Sequence, residues 1–459
     1  MSLDFSLTPA QHDLVLRTHR FAEEVVRPVA RHYDAEQAFP WPVLEQAAEQ
    51  GFYNPLFYRD LIGDPTGLSL PLFMEELFWG CAGIGLAIVM PALALSAMAA
   101  AATPEQLLRW APECFGEPGA LKLAALCVSE PEGGSDVRNL RTRARRDGGD
   151  WVLDGGKIFI GNGGIADVHV VNATVDPELG HRGQALFVVE GGTPGLEMVR
   201  KLDKLGCRAS HTAELRFDSV RVPAENLLGG EERLERKRHA EGSATLGAFE
   251  QTRPMVAAQA LGIARAALEF ATSYACGREA FGGPVMDNQG ISFPLADLAT
   301  ELDAARLLTW RASWMAAQRV AYQRAEGSMA KLRASEVAQR IVERAVQTCG
   351  GWGYIADLPV EKWYRDAKLY TIFEGTSEIQ RVVIGRALAE AAGEPPLHHR
   401  EPNSTLALGR TLGRGTPARS RAGMAGLKMA NRAPRPVLKL AMTVLKPPQR
   451  APRAPSSRP

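Results

Sequence analysis

The stretch Arg365 to Arg381, RDAKLYTIFEGTSEIQR, contains the side chain best suited to chemistry in this sequence. Glu374 stands between a largely apolar run, residues 369–373, and Gly375, whose freedom in φ allows a tight turn. Apolar neighbours raise the pKa of a carboxyl group, because they disfavour its charged form. A carboxyl group with a raised pKa in a dry pocket is suited to act as a general base.

The residues after this glutamate predict the start of a helix. Ser377 and Gln380 have the spacing of a capping box, and a periodic apolar run follows them. The positive end of that helix would favour the charged form of Glu374 and oppose the effect of its apolar neighbours. The alternative is an ordinary surface glutamate beside a helix, and only the rest of the chain separates the two.

Length and composition bound the class of protein. The 459 residues predict about two to four domains, and 46% hydrophobic with 23% charged residues is typical of a soluble globular chain. The net charge of +1 conceals an asymmetry, because 13 lysines and arginines follow from Arg400 onward against one acid, Glu401. An acidic body is therefore joined to a basic tail.

Cysteine usage bears on compartment and on metal chemistry. Six cysteines are scattered through the chain without a CxxC motif. This spacing argues against a zinc site or a disulfide framework and favours a reducing, cytoplasmic location. We predict no metal site, and the start MSLDFSLTPAQ shows no secretory signal.

One segment, Trp79 to Ala102, carries no charge and is long enough to span a bilayer. It is rich in glycine and alanine, contains Pro91, and follows an amphipathic helical pattern that ends at Glu75 and Glu76. We interpret it as a buried core helix that lines a cavity rather than as a membrane span.

Changes of hydrophobic periodicity divide the chain into four parts and predict an α+β fold. These are a helical domain (1–120), a small antiparallel β-sheet domain (121–228), a four-helix bundle (229–395) and a basic Pro/Arg-rich tail (396–459). Predicted strands are 151–160, 168–175, 184–190 and 213–222, and predicted long helices are 254–276, 293–318 and 325–348. The charged stretch 229–242 is predicted to be a solvated loop or helix face.

The helix–sheet–helix order, the EGTSEIQR stretch and three further motifs together resemble the acyl-CoA dehydrogenase family over residues 4–394. The first motif is CVSEPEGGSDVR, Cys127 to Arg138, where a strand ends in a glycine-rich polar turn. Such a turn lets the backbone approach a ligand closely. The resemblance implies contacts to the flavin of FAD from Leu126, Val128 and Ser129, and to flavin and substrate from Gly134 and Ser135.

The second motif is KIFIGNGG, Lys157 to Gly164. Family members carry an aromatic residue two positions after the lysine, packed against the isoalloxazine ring, and Phe159 matches it. Two positions further on they usually carry serine or threonine, whose hydroxyl bonds flavin N5. Here that residue is Gly161, so the resemblance implies a flavin that lacks this side-chain hydrogen bond.

The third motif is REAFGGPVMDNQ, in which an arginine, an aromatic residue and a glutamine could clamp phosphate, stack and donate hydrogen bonds. The resemblance places Arg278 and Phe281 at the pyrophosphate and adenine end of FAD, with Gln289 close by. In the family this cofactor spans a subunit interface. Contacts from the neighbouring chain would then come from Gln347, Gly350 and Gly351, while Thr376 and Glu378 follow the catalytic residue.

Substrate contacts are also implied by resemblance. The helix start AFEQTRPMVAA matches the one that faces the substrate, so Phe249, Glu250 and Arg253 are expected to flank the pantetheine and the active site. Gly375 is also expected to contact the substrate. Some subfamilies carry the catalytic glutamate at the position of Thr252. A threonine cannot act as that base, which strengthens the assignment to Glu374.

The activity implied is α,β-dehydrogenation of an acyl-CoA thioester to the trans-2-enoyl-CoA in lipid metabolism. Glu374 would remove the α proton while flavin takes the β hydride and an electron-transfer flavoprotein takes the electrons. The resemblance also implies a homo-oligomer, a tetramer or a dimer. An acyl-CoA oxidase on the same fold is an alternative, and neither acyl length nor branching follows from the sequence.

The tail leaves three interpretations open. A basic amphipathic segment can lie on an anionic membrane surface, which would make the enzyme peripheral. A basic extension is also found in DNA-binding adaptive-response flavoproteins of this fold, although this tail lacks aromatic residues for base stacking and we rank nucleic acid below membrane. The third interpretation is a disordered, solubilising tail.

Overall fold

The computed structural model describes the backbone of residues 6–239 and 244–392, and their side chains except 238, 239 and 244–251. The predicted tail lies outside these residues. The first part of the chain is helical. Its helices are α1 (Pro9–Phe21), α2 (Ala30–Ala35), α3 (Trp41–Glu49), α4 (Pro55–Ile62), α5 (Ser69–Gly80), α6 (Ala82–Ala101) and α7 (Pro104–Glu113).

Local sequence signals set the starts of these helices. Thr8 caps α1 in a capping box with Gln11, and Thr103 caps α7 in the same way with Gln106. In both helices proline is the first residue, where its missing N–H costs no hydrogen bond.

The helix α5 corrects a sequence-based boundary, because it continues to Gly80 instead of ending at Glu75 and Glu76. Both glutamates are buried. Arg265 Nη1 donates to Glu76 Oε1 (2.6 Å), and Arg306 Nη2 donates to Glu75 Oε1 (2.8 Å). These buried charges join the first helices to the C-terminal helices, so their polarity does not mark a helix end.

The uncharged helix α6 is long and apolar enough to cross a membrane by length and composition alone. Its first eight residues are all buried in the core, and Pro91 lies within the helix. From Met90 onward, buried residues recur only every third or fourth position, and Met90 itself is partly exposed. Helix α6 packs against strands β3 and β6 of the sheet described below.

The middle of the chain forms a seven-stranded sheet in the order β3-β6-β4-β5-β9-β8, with β7 paired to β6. Its strands are β3 (Ala124–Cys127), β4 (Arg143–Asp147), β5 (Asp150–Gly161), β6 (Val168–Thr174), β7 (Gln184–Glu190), β8 (Leu196–Lys201) and β9 (Thr212–Val222). A separate short hairpin pairs β1 (Gly116–Glu117) with β2 (Ala120–Leu121).

The α+β class is confirmed, with one correction inside the sheet. Four of its six strand pairings are antiparallel, but β6 pairs in parallel with β3, and at one residue pair with β4. After β3 the chain forms β4 and β5, and it then returns to β3 so that β6 runs in the same direction as β3. Hairpins alone cannot give β6 its parallel partners, because a parallel pairing requires a longer crossover connection.

The last described part is again helical, with a two-stranded hairpin inserted. It comprises α8 (Gly230–His239), α9 (Ala244–Gly277), β10 (Glu279–Ala280), β11 (Gly283–Pro284), α10 (Gln289–Ala317), α11 (Glu326–Cys349), α12 (Val360–Lys368) and α13 (Ser377–Ala391). Helices α9, α10 and α11 pack against one another, and α13 packs on α11. Helix α9 also packs closely on α5, where a side chain at Gly262 would come within 2.4 Å of the Glu75 carbonyl oxygen.

Candidate active site

Glu374 and Gly375 lie in a turn near the end of the eight-residue connection, residues 369–376, between α12 and α13. Both turn residues have left-handed backbone conformations, with φ of 54° at Glu374 and 88° at Gly375. A glycine adopts this region freely, whereas a glutamate does so at a cost in conformational energy. The turn therefore forces the glutamate side chain into one direction, and its neighbours must compensate for the strain.

The helix after the turn begins one residue earlier than the capping-box spacing predicted. Thr376, not Ser377, is the N-cap, and its hydroxyl accepts a hydrogen bond from the Ile379 N–H (3.3 Å). Gln380 is buried, but its amide does not complete a capping box. It reaches back to the turn and donates to the carbonyl oxygens of Glu374 (3.2 Å) and Gly375 (2.8 Å).

A buried lysine also holds this turn. Lys331 on α11 is fully buried, and its Nζ donates to the Gly375 carbonyl oxygen at 2.7 Å. It stands on the apolar stripe of α11, one turn from Ser328, which the buried Arg253 contacts. The sequence carries a signal for this residue: a lysine at a core position of a helix whose other core positions are mostly small or apolar.

Burial and two nearby positive charges act on the protonation of Glu374. Burial raises the pKa of its carboxyl group above the usual value, and the positive charges of Lys331 and Arg253 oppose that rise. The Glu374 carboxylate is therefore a stronger base than the carboxylate of a surface glutamate. The structure thus brings Arg253, predicted as a substrate contact, into the electrostatic neighbourhood of Glu374.

A second group of predicted residues lies where β3 ends beside β5. Lys157 is fully buried; its Nζ donates to the Val128 carbonyl oxygen (2.9 Å) and to Glu130 Oε1 (2.8 Å). The Ile158 N–H donates to the Ser129 carbonyl oxygen (3.0 Å). Leu126, Val128 and Ser129 are partly exposed on this edge. The ion pair therefore fixes the two predicted flavin motifs against each other.

Phe159 projects from a β-bulge in β5. The register between β5 and β9 shifts between Lys157 and Ile160, and Phe159 has a φ of 61°. Bulges redirect side chains, and here Phe159 is left 68% exposed. An exposed aromatic ring on a strained backbone, next to a fully buried ion pair, offers a flat apolar face to a ligand.

Gly161, two residues further on, faces helix α6. A β-carbon placed on it would lie 2.7 Å from both Sδ and Cε of Met90. The space that a serine or threonine side chain would take at this position is therefore filled by a thioether. Gly134 and Ser135 lie in an exposed loop after the Glu130–Gly133 bridge, where the backbone is open to solvent.

A third group lies around an open cleft of ≈ 370 Å³ beside α9 and α11. Four predicted cofactor residues line it, namely Arg278, Phe281, Gly350 and Gly351. Phe281 is fully exposed and has a φ of 56°. Gln289 and Gln347 are exposed at the start of α10 and the end of α11 but are not in its lining.

The QTCGG motif shares this cleft with the REAFGG motif. The glycines at 350 and 351 line the same cleft as Arg278 and Phe281 within one chain, so a neighbouring chain is not needed to bring these four together. None of the residues predicted for the flavin ring is in that lining. The chain thus carries two separate groups of predicted cofactor residues.

The remaining predicted residues are distributed as follows. Thr376 has the capping role given above, and Glu378 is exposed in the first turn of α13. Phe249 and Glu250 belong to α9, and their side chains lie outside the described residues. Their contacts to substrate stay predictions.

Comparison with known proteins decides the family. Sequence models of the acyl-CoA dehydrogenase N-terminal, middle and C-terminal domains match residues 8–117, 125–220 and 242–389. The short-chain specific acyl-CoA dehydrogenase, mitochondrial, of Bos taurus is 40% identical over 387 residues, covering 83% of this chain and 91% of that protein. The chain belongs to the acyl-CoA dehydrogenase family. It is therefore an FAD-dependent oxidoreductase that acts on the CH–CH group of an acyl-CoA.

Solved structures agree with this assignment. The butyryl-CoA dehydrogenase of Megasphaera elsdenii superposes with a TM-score of 0.76 at 35% identity, covering 84% of this chain and 100% of that one. A chain from the structure of the electron transferring flavoprotein of Acidaminococcus fermentans superposes with a TM-score of 0.75 at 34% identity, covering 84% and 99%.

The described residues fit FAD at both groups. The exposed ring of Phe159 gives a flat aromatic face for an isoalloxazine, beside the partly exposed Val128 and Ser129. Arg278 in the open cleft supplies a guanidinium for the pyrophosphate, and Phe281 a ring for stacking. In such an arrangement the first group would hold the isoalloxazine end of FAD and the second group its pyrophosphate and adenine end.

Proposed function

We propose that this enzyme dehydrogenates a short-chain acyl-CoA thioester between its α and β carbons, with Glu374 as the base. The observation that carries the proposal is the strained turn that presents a half-buried glutamate with a raised pKa. The relatives named above support the short acyl chain, since one is named for short-chain substrates and the other for butyryl-CoA.

The proton step is assigned to the chain's own residues. Glu374 takes the α proton onto a carboxylate oxygen, and burial favours the protonated product of this step. Bound FAD would supply the acceptor for the β hydride. Both steps require the substrate to lie between the Glu374 carboxylate and the Phe159 side of the sheet, where positioning and exclusion of water lower the barrier.

The turn also offers a donor for the charge that develops on the thioester oxygen. Among the described residues, the N–H of Glu374 donates to no acceptor, whereas the carbonyl oxygens of Glu374 and Gly375 both accept hydrogen bonds. An N–H fixed in a strained turn can donate to an enolate oxygen without reorganising. We therefore assign this N–H to substrate polarisation.

We further propose that electrons leave through an electron-transfer flavoprotein and that the enzyme works as a homo-oligomer. Similarity to a chain from an electron transferring flavoprotein structure supports the first proposal. Exposed aromatic side chains around the cleft, Phe281, Trp352 and Tyr354, support the second, because a second copy would cover them. Light scattering of the FAD-loaded protein would test the oligomer, and a monomer would contradict it.

An anaerobic titration of the flavin absorbance tests the activity and the substrate class together. CoA esters with straight chains of about 4, 8 and 16 carbons, and one branched ester, would each be added to the oxidised enzyme. We expect fastest bleaching with the shortest ester. Faster bleaching by a long or branched ester would contradict the substrate class, and no bleaching by any ester would contradict the activity. Hydrogen peroxide formed in air at the rate of turnover would instead identify an oxidase.

A further inference from the structure

Lys331 has a position that is costly for a lysine. It is fully buried on α11, and no carboxylate among the described residues forms an ion pair with it. Its hydrogen bond is made to a neutral acceptor, the Gly375 carbonyl oxygen at 2.7 Å. Taking an ammonium out of water without a paired anion is strongly unfavourable, so some other feature of the site must favour its retention.

We propose that Lys331 is a positioning residue for Glu374, holding the turn by its carbonyl and supplying the positive charge that keeps the adjacent carboxyl ionised. The inference rests on the proposed role of Glu374 as base. It adds a residue that the sequence-based site does not contain, on helix α11 rather than in the turn that carries Glu374.

The electrostatics agree with this geometry in both directions. Burial lowers the pKa of Lys331 to about 8, and the charge of Glu374 opposes that fall. Conversely, Lys331 is the first of the charges that hold the pKa of Glu374 down against burial. Each group therefore stabilises the charged form of the other.

Other charged groups face the same pair. Arg253, from α9, lowers the pKa of both groups, and Glu378, from α13, raises that of Lys331. Arg253 contacts Ser328 on α11, one turn before Lys331. Removing Lys331 therefore leaves one positive charge near Glu374, which limits the expected effect to a shift in its protonation rather than a loss of all ionisation.

The turn has a second brace, which makes the charge of Lys331 separable from its hydrogen bond. The Gly375 carbonyl oxygen also accepts from Gln380 Nε2 at 2.8 Å. Lys331→Met thus removes the ammonium while the carbonyl keeps one donor. Gln380→Met does the reverse, since it removes a neutral donor from the Glu374 and Gly375 carbonyls and leaves the ammonium in place.

The test compares Lys331→Met, Lys331→Arg and Gln380→Met in the full FAD-loaded chain. Infrared difference spectra between pH values, with Glu374→Gln as the reference, follow the protonation of this one carboxyl group. Rapid mixing with substrate gives the pH dependence of flavin reduction. We expect Lys331→Met to raise both midpoints by about one pH unit, since an opposite charge nearby lowers a carboxyl pKa by about that much or more.

Lys331→Arg keeps the charge and is expected to retain the wild-type midpoints. Gln380→Met is expected to slow flavin reduction without moving either midpoint. An unmoved midpoint in Lys331→Met, or an equal shift in Gln380→Met, would overturn the inference. If Lys331→Met does not bind FAD, Lys331→Gln, which keeps a donor without charge, takes its place with the same expected shift.

The two proposals fail in different ways. The infrared midpoint reports Glu374 and Lys331 in the resting enzyme, without turnover. If Glu374→Gln reduces its flavin as fast as the wild type, the role of Glu374 is wrong, whatever the infrared midpoints show. If Glu374→Gln is inactive while Lys331→Met titrates like the wild type, only the role of Lys331 is wrong.

Discussion

The two groups of cofactor residues are built in opposite ways. At the sheet edge, Lys157 and Glu130 form a fully buried ion pair that fixes the flavin-ring motifs, and Phe159 is held on a bulge above it. In the cleft, Arg278 and Phe281 are exposed, and no comparable buried charge supports them among the described residues. The first group is formed before any ligand arrives, whereas the second leaves its aromatic and cationic groups for a ligand or a second copy to cover.

Backbone strain connects both groups with the base. Nine described non-glycine residues have positive φ, and they include Phe159, Phe281 and Glu374, one from each part of the proposed site. Such conformations persist only where surrounding contacts enforce them. The contacts around Phe159 and Glu374 are buried and polar, and this contrast with the open cleft gives the following predictions.

The largest expected effect is on stability at the sheet edge. Lys157→Met leaves Glu130 buried without its cation, and breaking a buried ion pair costs about 3–5 kcal/mol. Urea unfolding of the FAD-loaded protein measures this loss. Lys122→Met is the matched control, because Lys122 pairs with Glu113 at the partly exposed surface, where a pair contributes about 0–1 kcal/mol. Equal losses in both variants would contradict the contrast.

A substitution in the cleft should change the affinity for FAD rather than the free energy of unfolding. Arg278→Ala removes a charge-assisted hydrogen bond to the cofactor, worth about 1.5–3 kcal/mol, and should weaken FAD binding by about tenfold or more. Equilibrium titration followed by flavin fluorescence measures the dissociation constant. At saturating FAD, the rate of flavin reduction should match the wild type. A normal dissociation constant would remove Arg278 from the cofactor site.

The pH dependence should separate the base from the cleft. Glu374 acts when deprotonated, and burial raises its pKa above the usual 4.5, so flavin reduction should fall as pH falls through that raised value. Below the midpoint the rate should drop by about tenfold per pH unit, the slope for one required deprotonated group. Rapid mixing over a pH series measures this limb. Arg278→Ala should leave its midpoint unchanged, and a shifted midpoint would link the two regions.

The smallest effect is expected at Gly161. Gly161→Ser brings a β-carbon within 2.7 Å of the Met90 side chain, and overpacking of this kind costs about 1–3 kcal/mol before the flexible methionine adjusts. Met90→Ala should relieve the crowding, so the double variant should be more stable than the sum of the two single changes predicts. Thermal unfolding of the four proteins gives this coupling. Simple additivity would show that the two side chains do not compete.

The sequence predicted the parts of the fold that periodicity controls. The short β-rich runs 184–190 and 168–175, punctuated by Gly, Asp and Asn, predict two strands, and the observed strands end within one residue of these limits. Strand β4, with the sequence RARRD, was missed because four of its five residues are exposed and charged. Its hydrogen bonds to β5 make it a strand, and its own residues show no hydrophobic pattern from which that pairing could be predicted.

The site was predictable where a turn residue accompanies the reacting group, and not where the support comes from elsewhere in the chain. Gly375 after Glu374 indicated a turn, whereas the helix cap was misplaced by one residue because Thr376 and Ser377 are both good N-caps. Lys331 stands 43 residues before Glu374 and 44 before the carbonyl it holds. Such a contact depends on how α11 and the turn pack together, which local patterns do not encode.

The central claim is that Glu374 removes the α proton, and Glu374→Gln tests it most directly. The amide keeps the size of the side chain but cannot accept this proton. We predict that the variant binds FAD with a normal visible spectrum and thermal midpoint, while the anaerobic bleaching rate with a short-chain acyl-CoA falls by about 10³-fold or more, within the range for loss of a general base. Bleaching at the wild-type rate would contradict the claim.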